Sequence, residues 1–185
     1  MTRLVIGTHG AVAQALADGA RFASSPARTT VREIVRRDRP TELAIVALPP
    51  SLGPLGAVET SELERLLGET LTAAAAVLQT LSELELSTRV VIVCPTGGLI
   101  PDHRDGVRSL IAAGLVMLME VASTLPGIAV NAILVADATA PAEVATVADL
   151  MLGTNAESIN GTTIRMDGGH DAVLAAETRT EELNE

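Results

Sequence analysis

Hydrophobic residues fall along this 185-residue chain in two alternating rhythms. One is short and rich in β-branched residues: RLVIG (3–7), ELAIVALPP (42–50), TRVVIVCP (88–95), IAVNAILVA (128–136) and TTIRMDGG (162–169). Runs of that length and branching predict strands, and the prolines at 49 and 50 stop the second of them. The other rhythm has helical period, in AVAQALADGARF (11–22), SELERLLGETLTAAAAVLQTLSEL (61–84), DGVRSLIAAGLVMLMEVASTL (105–125) and PAEVATVADLML (141–152), and predicts helices. Thr60 or Ser61 opens the second helix, with Glu64 supplying a capping box to Ser61. Pro126 and Gly127 end the third, and Pro141 starts the fourth. In the polar, Arg-rich segment 23–42, TTVREIV (29–35) predicts a further strand. Strands alternating with helices predict an α/β domain around a parallel sheet.

Neither an internal repeat nor a linker divides the chain, and its length suits one core that buries about 70% of the unfolded surface. The two central helices are apolar nearly all round, so each is expected to be buried on more than one side. A single chain of this size has trouble covering both. A helical interface with another subunit is therefore expected, through Leu71, Val77 and Leu78 on one helix and Leu110, Leu115, Met117 and Leu118 on the other.

Composition narrows the chemistry. There is no Trp or Tyr and a single Phe22, so the core is aliphatic and no phenol is available for proton transfer. With 23 acidic against 13 basic residues the net charge is −10, the wrong field for a nucleic acid. One cysteine and three scattered histidines exclude an internal disulfide and give no metal-binding spacing. The first apolar run breaks at Gly7, too short for a signal peptide, and the longest apolar region contains Glu120 and is shorter than a membrane span. A cytoplasmic protein is expected.

Candidate chemistry concentrates in the loop of CPTGGLIPDHRDGVRSLIAAG (94–114), between a strand and a buried helix. His103 could act as a base there, oriented by Asp102 or Asp105. The alternative is a solvated loop with Asp105 capping the helix. Cys94, at a strand end, is expected to be a buried small hydrophobe. His9 and Gly10 form either an anion-binding turn or a plain one.

Three segments carry a longer pattern. VNAILVADATAPAEVATVADLMLGTNAESINGTTIRMDGGHD (130–171) has a V-N strand, a P-x-E-V-A helix and an ending like S-x-I-T-G-x-T-I-x-V-D-G-G. VVIVCPTGGLIP (90–101) is similar to a strand closing in S-S-x-x-G-x-x-P, and residues 53–84 are similar to the stretch through the helix before it. The order of these segments resembles the short-chain dehydrogenase/reductase (SDR) family over 43–171, and more loosely over 3–20. The resemblance implies a single Rossmann-like, doubly wound α/β domain over 1–176 with a mostly parallel sheet, followed by an acidic, flexible tail at 177–185.

Carried over position by position, the family's catalytic Ser falls on Pro95, its Tyr on Arg108, its Lys on Ala112 and its relay Asn on Thr70. None is kept. The family's mechanism needs a phenol whose pKa is lowered by a neighbouring ammonium, and a permanently cationic Arg108 cannot replace it. The family's T-G-x-x-x-G-x-G turn falls on IGTHGAVA, which keeps Gly7 but places Ala11 and Ala13 where two glycines admit the pyrophosphate. Its N-N-A-G falls on Ala47, Leu48, Pro49 and Pro50, and the P-G that abuts the nicotinamide on Val135 and Ala136. The acid that binds the ribose has only Glu33 or Asp38 as counterparts. Between the first strand and ELAIVALPP there is too little chain for two further strands and two helices, so the domain is expected to be shortened in its N-terminal, adenosine-binding half.

These positions imply that NAD(P) binding is lost and that no cofactor or metal is held. The resemblance points to a non-catalytic subunit, from a high-GC bacterium by composition, that pairs with a catalytically intact SDR homologue, stabilising it or shaping its substrate site. The alternatives are a cofactor-independent enzyme (cyclase, isomerase or dehydratase) using His103 and its neighbouring acids, a ligand-binding homodimer using the remnant pocket, and a reductase with an unorthodox site. His170 is expected at a subunit interface or on the exposed surface.

Overall fold

Every strand among the described residues points the same way. The computed structural model describes residues 3–7, 10–17, 20–23, 28–97, 102–156 and 158–169. The strands are β1 (Arg3–Gly7), β2 (Arg21–Ala23), β3 (Glu42–Val46), β4 (Thr88–Pro95), β5 (Ile128–Val135) and β6 (Thr163–Met166). They form one sheet in the order β2-β1-β3-β4-β5-β6, and all five pairings are parallel. A parallel return must cross a face of the sheet, and helices make these crossings. They are α1 (Ala11–Leu16), α2 (Arg28–Asp38), α3 (Thr60–Leu67), α4 (Ala73–Glu83), α5 (Gly106–Ala122) and α6 (Pro141–Leu152), with a π-turn at Gly68–Thr72 joining α3 to α4.

Alternation along the strands divides the core in two. Leu4, Ile6, Leu43, Ile45, Val90 and Ile92 face α2, α4 and α5, where Val35, Val77, Leu78, Ile111, Leu115 and Met119 meet them. Val5, Ala44, Val46, Val91, Val93 and Ile133 face α1 and α6, against Ala13, Leu16, Val144, Ala148 and Met151. Strands buried on both faces read as unbroken apolar runs, which is why β4 and β5 stand out so clearly in the sequence. The sheet is the shortened, doubly wound one expected. Winding reverses between β1 and β3, and among the described strands only β2 lies beyond β1.

Several boundaries differ from expectation. Residues 29–35 lie in α2, where Val31 and Val35 are buried one turn apart and Arg32 and Arg36 reach Gln79 and Glu83 of α4. The second strand is instead Arg21–Ala23, in register with Leu4–Ile6, and the first helix ends at Leu16, short of the 11–22 expected. The helix predicted from Ser61 begins one residue earlier with Glu59 at its N-cap and no side-chain cap, so Ser61 lies inside the first turn and the capping box does not form. Of the expected interface residues, Val77, Leu78 and Leu115 are buried in this chain's own core. They share a helical face with the residues that cover the sheet. Leu110 and Met117 are exposed, and Leu71 and Leu118 are half-buried, on the other side. His9, His170 and the segment 177–185 lie outside the described residues. Among the described residues no helix is long and apolar enough to cross a membrane.

The register is marked by charge at the amino edge. Arg3, Glu42 and Arg89 are direct neighbours across β1, β3 and β4, and the nearly buried Glu42 carboxylate meets Arg3 at 2.9 Å and Arg89 at 3.4 Å. A slip of either strand would strand a buried carboxylate without its cations. At the carboxyl edge Gly7, with φ +154°, passes so close to β3 that a Cβ there would lie 2.1 Å from the Val46 carbonyl oxygen. A glycine is needed here for backbone packing alone. Gly7→Ala is expected to destabilise the fold by more than about 2 kcal/mol, read as a fall in the urea midpoint with an unchanged slope.

Candidate functional site

Ligands of open parallel sheets lie beyond the carboxyl ends of the strands, where the winding reverses. At that place a cavity of about 280 Å³ opens between the ends of β1, β3 and β5. Val12, Val46, Leu48, Pro49, Val135 and Pro141 form its walls, and Arg108, Asp137 and Thr139 form its polar end. A second cavity, of about 360 Å³, lies on the other side of Arg108, lined by Thr96, Asp102, Asp105, Ser109, Asp137 and Asp167. Arg108 lines both.

Arg108 is placed by the first turn of α5, which approaches the segment 55–57 so closely that a Cβ on Gly106 would stand 2.9 Å from the Leu55 backbone nitrogen. Its guanidinium donates to both Asp137 oxygens, Nη1 at 2.9 Å and Nη2 at 2.6 Å, and Asp105 lies 3.5 Å from Nη1. The donated hydrogen bonds from Arg108 hold the Asp137 carboxyl below the usual carboxylate range. The same pairing raises the Arg108 guanidinium further above its already high value. Asp137 is 79% exposed and Arg108 only 12%, so the pair joins a fixed cation to a surface anion.

The other positions have equally complete local explanations. Thr70 lies in the π-turn and donates to the Leu66 carbonyl at 2.6 Å, so its hydroxyl serves its own helix. π-turns often mark functional positions. Ala112 is fully buried, one turn along α5 from Arg108, and Pro95 ends β4 in the core. Sequence reasoning missed Ser109, whose Oγ accepts from the Asp102 backbone N–H at 2.9 Å and stands 2.6 Å from where a Cβ on Gly97 would be. It fastens the loop to α5. Its partners are set by tertiary folding, and no sequence spacing marks them.

The arrangement does not bring together a base and an orienting acid at His103. Asp102 accepts from the Arg104 backbone N–H at 2.9 Å and pairs with its side chain at 3.0 Å, while Asp105 faces Arg108. His103 is exposed, in a 3₁₀ turn, and lines neither cavity. Asp105 stands at the N-cap of α5 without capping it by its side chain; Asp102 caps the preceding turn instead. Of the two acids considered for a ribose, Asp38 ends α2 at the opposite edge of the sheet, paired with Arg21 and Arg37, and Glu33 is exposed on that helix. Cys94 is fully buried, and burial pushes its thiol up to about 12, far from a nucleophile's range. Among the described residues no cluster of His, Cys, Asp or Glu could hold a metal ion.

No family model and no curated protein sequence matches the chain. Solved structures do. A doubly substituted short-chain dehydrogenase/reductase of Serratia marcescens superposes with a TM-score of 0.78 at 16% identity, covering 91% of this chain and 96% of that one. The fold is that of the SDR enzymes. A short-chain dehydrogenase family protein from Francisella tularensis gives 0.79 at 12% identity over 93% of this chain and 99% of that one. An oxidoreductase of the same family from Burkholderia thailandensis gives 0.75 at 17%, over 97% of both.

The SDR fold implies a nicotinamide dinucleotide, and the residues of this crevice do not fit one. The crevice is divided into two cavities, of about 280 and 360 Å³, that meet at Arg108 and Asp137. Ala11, Val12 and Ala13 line it where a glycine turn would let backbone reach a pyrophosphate, and the Arg108–Asp137 pair crosses its far end. All 13 basic residues are arginines, so no lysine ammonium is available to a proton relay. The buried thiol offers a check on this edge of the sheet. Iodoacetamide is expected to leave Cys94 unmodified in the native protein at pH 8 and to add one carbamidomethyl group in denaturant; rapid native labelling, read by mass, would show that the end of β4 is open.

Proposed function

We propose that this chain is a non-catalytic subunit of SDR fold that pairs with a catalytically intact homologue through the outer face of α4 and α5. One observation carries the reading. The π-turn before α4 and the first turns of α5 carry Thr70, Arg108 and Ala112 where the resemblance implies a proton relay, with only Arg108 of the three lining the crevice, yet α5 keeps an apolar stripe on its outer side. Leu110, Gly114, Met117 and Val121 recur along α5 at helical spacing, and Leu110, Met117 and Val121 are 41%, 59% and 59% exposed. Beside them Leu71, Ala75, Gly114 and Leu118 line a groove between the helices. Apolar side chains contiguous on this scale mark a protein-binding surface. Gly114 lies against the Leu71 methyls, where a Cβ would be 2.9 Å away, so the two helices run close enough to act as one face.

In this reading the acid–base and hydride chemistry belong to the partner, and this chain supplies a rigid surface that steadies the partner's helices and the loops at their ends. A second copy would cover the same face without contributing a proton relay. Co-expression with an intact homologue that carries the family's Tyr and Lys, with a tag on this chain alone, is expected to yield a mixed dimer or tetramer of fixed stoichiometry by light scattering. Met117→Glu should abolish the pairing and leave the melting temperature of the isolated chain nearly unchanged, because Met117 faces solvent. A homodimer that ignores the homologue, or saturable NADH or NADPH binding by the isolated chain, would overturn the proposal.

A further inference from the structure

The pairing surface makes no use of the cavity at the opposite edge. We propose that the 280 Å³ cavity at the ends of β1, β3 and β5 binds a small organic monocarboxylate with an apolar body, and that its carboxylate takes the place of Asp137 on Arg108. The walls fit an apolar body: Val12, Val46, Leu48, Pro49, Val135 and Pro141 offer branched or ring carbon surface. A cavity with carbon walls and a fixed cation at its polar end, here Arg108 beside Asp137 and Thr139, has the general form of a small-molecule site, and its volume sets the size as small.

Asp137 shows what Arg108 accepts. It is itself a carboxylate seated end-on across both Nη atoms, the two-point geometry that distinguishes guanidinium from ammonium recognition. Yet it comes from solvent, being 79% exposed, whereas Arg108 is 12% exposed and stands at the boundary between the two cavities. Its turn is held independently of the ion pair. Thr139 accepts from the Ala136 N–H at 3.2 Å and donates to the Met166 carbonyl, and the Thr139 N–H donates to the Ala136 carbonyl at 3.0 Å. Asp137 sits at the tip of that turn, so its side chain can swing away while the turn stays closed. The existing pair also leaves Arg108 Nε buried and without an acceptor. Nε is thus a donor that Asp137 does not satisfy, and the existing pair uses only part of the guanidinium's hydrogen-bonding capacity.

The charge of the ligand follows from Asp105, 3.5 Å from Nη1. With Arg108 and Asp105 both in place, one further negative charge replaces that of Asp137 and leaves the local balance unchanged. A phosphate dianion would add a second, beside an aspartate and in a chain of net charge −10. An amine would meet the guanidinium itself.

The inference is tested on the full chain by calorimetric titration with sodium hexanoate, against 1-hexanol and hexylammonium as probes of equal chain length. Saturable hexanoate binding is expected, with the alcohol about tenfold weaker for want of the charged hydrogen bonds. Asp137→Asn removes the competitor on an exposed turn that should fold normally, and is expected to tighten hexanoate by up to about fivefold, the worth of an exposed ion pair. Arg108→Met should abolish binding. The proposal is overturned if neither the parent chain nor Asp137→Asn binds hexanoate, if the alcohol or the amine binds as tightly as the acid, or if Asp137→Asn leaves the affinity unchanged or weakens it.

Discussion

A sheet whose strands all run in one direction has no turn that can bring the chain straight back, so each return crosses one of its faces and covers it. In this molecule that requirement organises everything else. It gives two separate aliphatic cores, one under α2, α4 and α5 and one under α1 and α6. It makes β3, β4 and β5 apolar on both sides along most of their length, with Asn131 in β5 the exception, bonded to the Ile159 carbonyl and the Thr162 N–H. It also gathers every loop that follows a strand at one edge, so that the segments after β1, β3, β4 and β5 meet around a common crevice whatever residues they carry.

The side chains around this crevice are mostly accounted for by local partners. Where a proton relay would need a phenol, an ammonium and a side-chain amide, the chain has Arg108 paired with Asp137, Ala112 sealed in the core and Thr70 bonded to its own helix. Buried polar groups without partners are costly, and each replacement is either apolar or finds a partner nearby. The buried Nε of Arg108 and Oδ1 of Asp105 depart from this pattern. Gly7 belongs to the same account. The Val46 carbonyl leaves no room for a Cβ there, a reason for glycine that does not depend on a phosphate.

The parts of the fold legible in the sequence were those whose signal is local and strong. Residues 88–95 are an uninterrupted branched run, and Pro141 opens a helix whose limits match those read from the sequence. The segment 29–35 misled because Val, Ile and Thr favour strands by composition, whereas the spacing of Val31 and Val35 is helical and their burial against the sheet decides the outcome. β2 has three residues, too few for any periodicity to show. At the candidate site, the place of Arg108 where the resemblance implies a Tyr could be read by counting along the loop. The partner of Arg108 could not, because Asp137 is 29 residues away and only the packing of β4 beside β5 brings their loops together.

The same topology explains which half of the domain could be shortened. Removing strands beyond β2 exposes an edge, and an edge is tolerated when it is short and charged; β2 has three residues, begins at Arg21 and is flanked by the Arg21–Asp38 pair. Removing α4 or α5 would uncover a face, where Val77, Leu78, Ile111 and Leu115 cover the sheet. Those helices therefore had to stay for the fold of this chain alone. Their outer side did not have to remain apolar: Met117 and Val121 support no core here, and charged residues would serve as well in a protein that keeps this face in water. That they are nonetheless apolar, in line with Leu110 and Gly114, is the physical reason to look for what covers them.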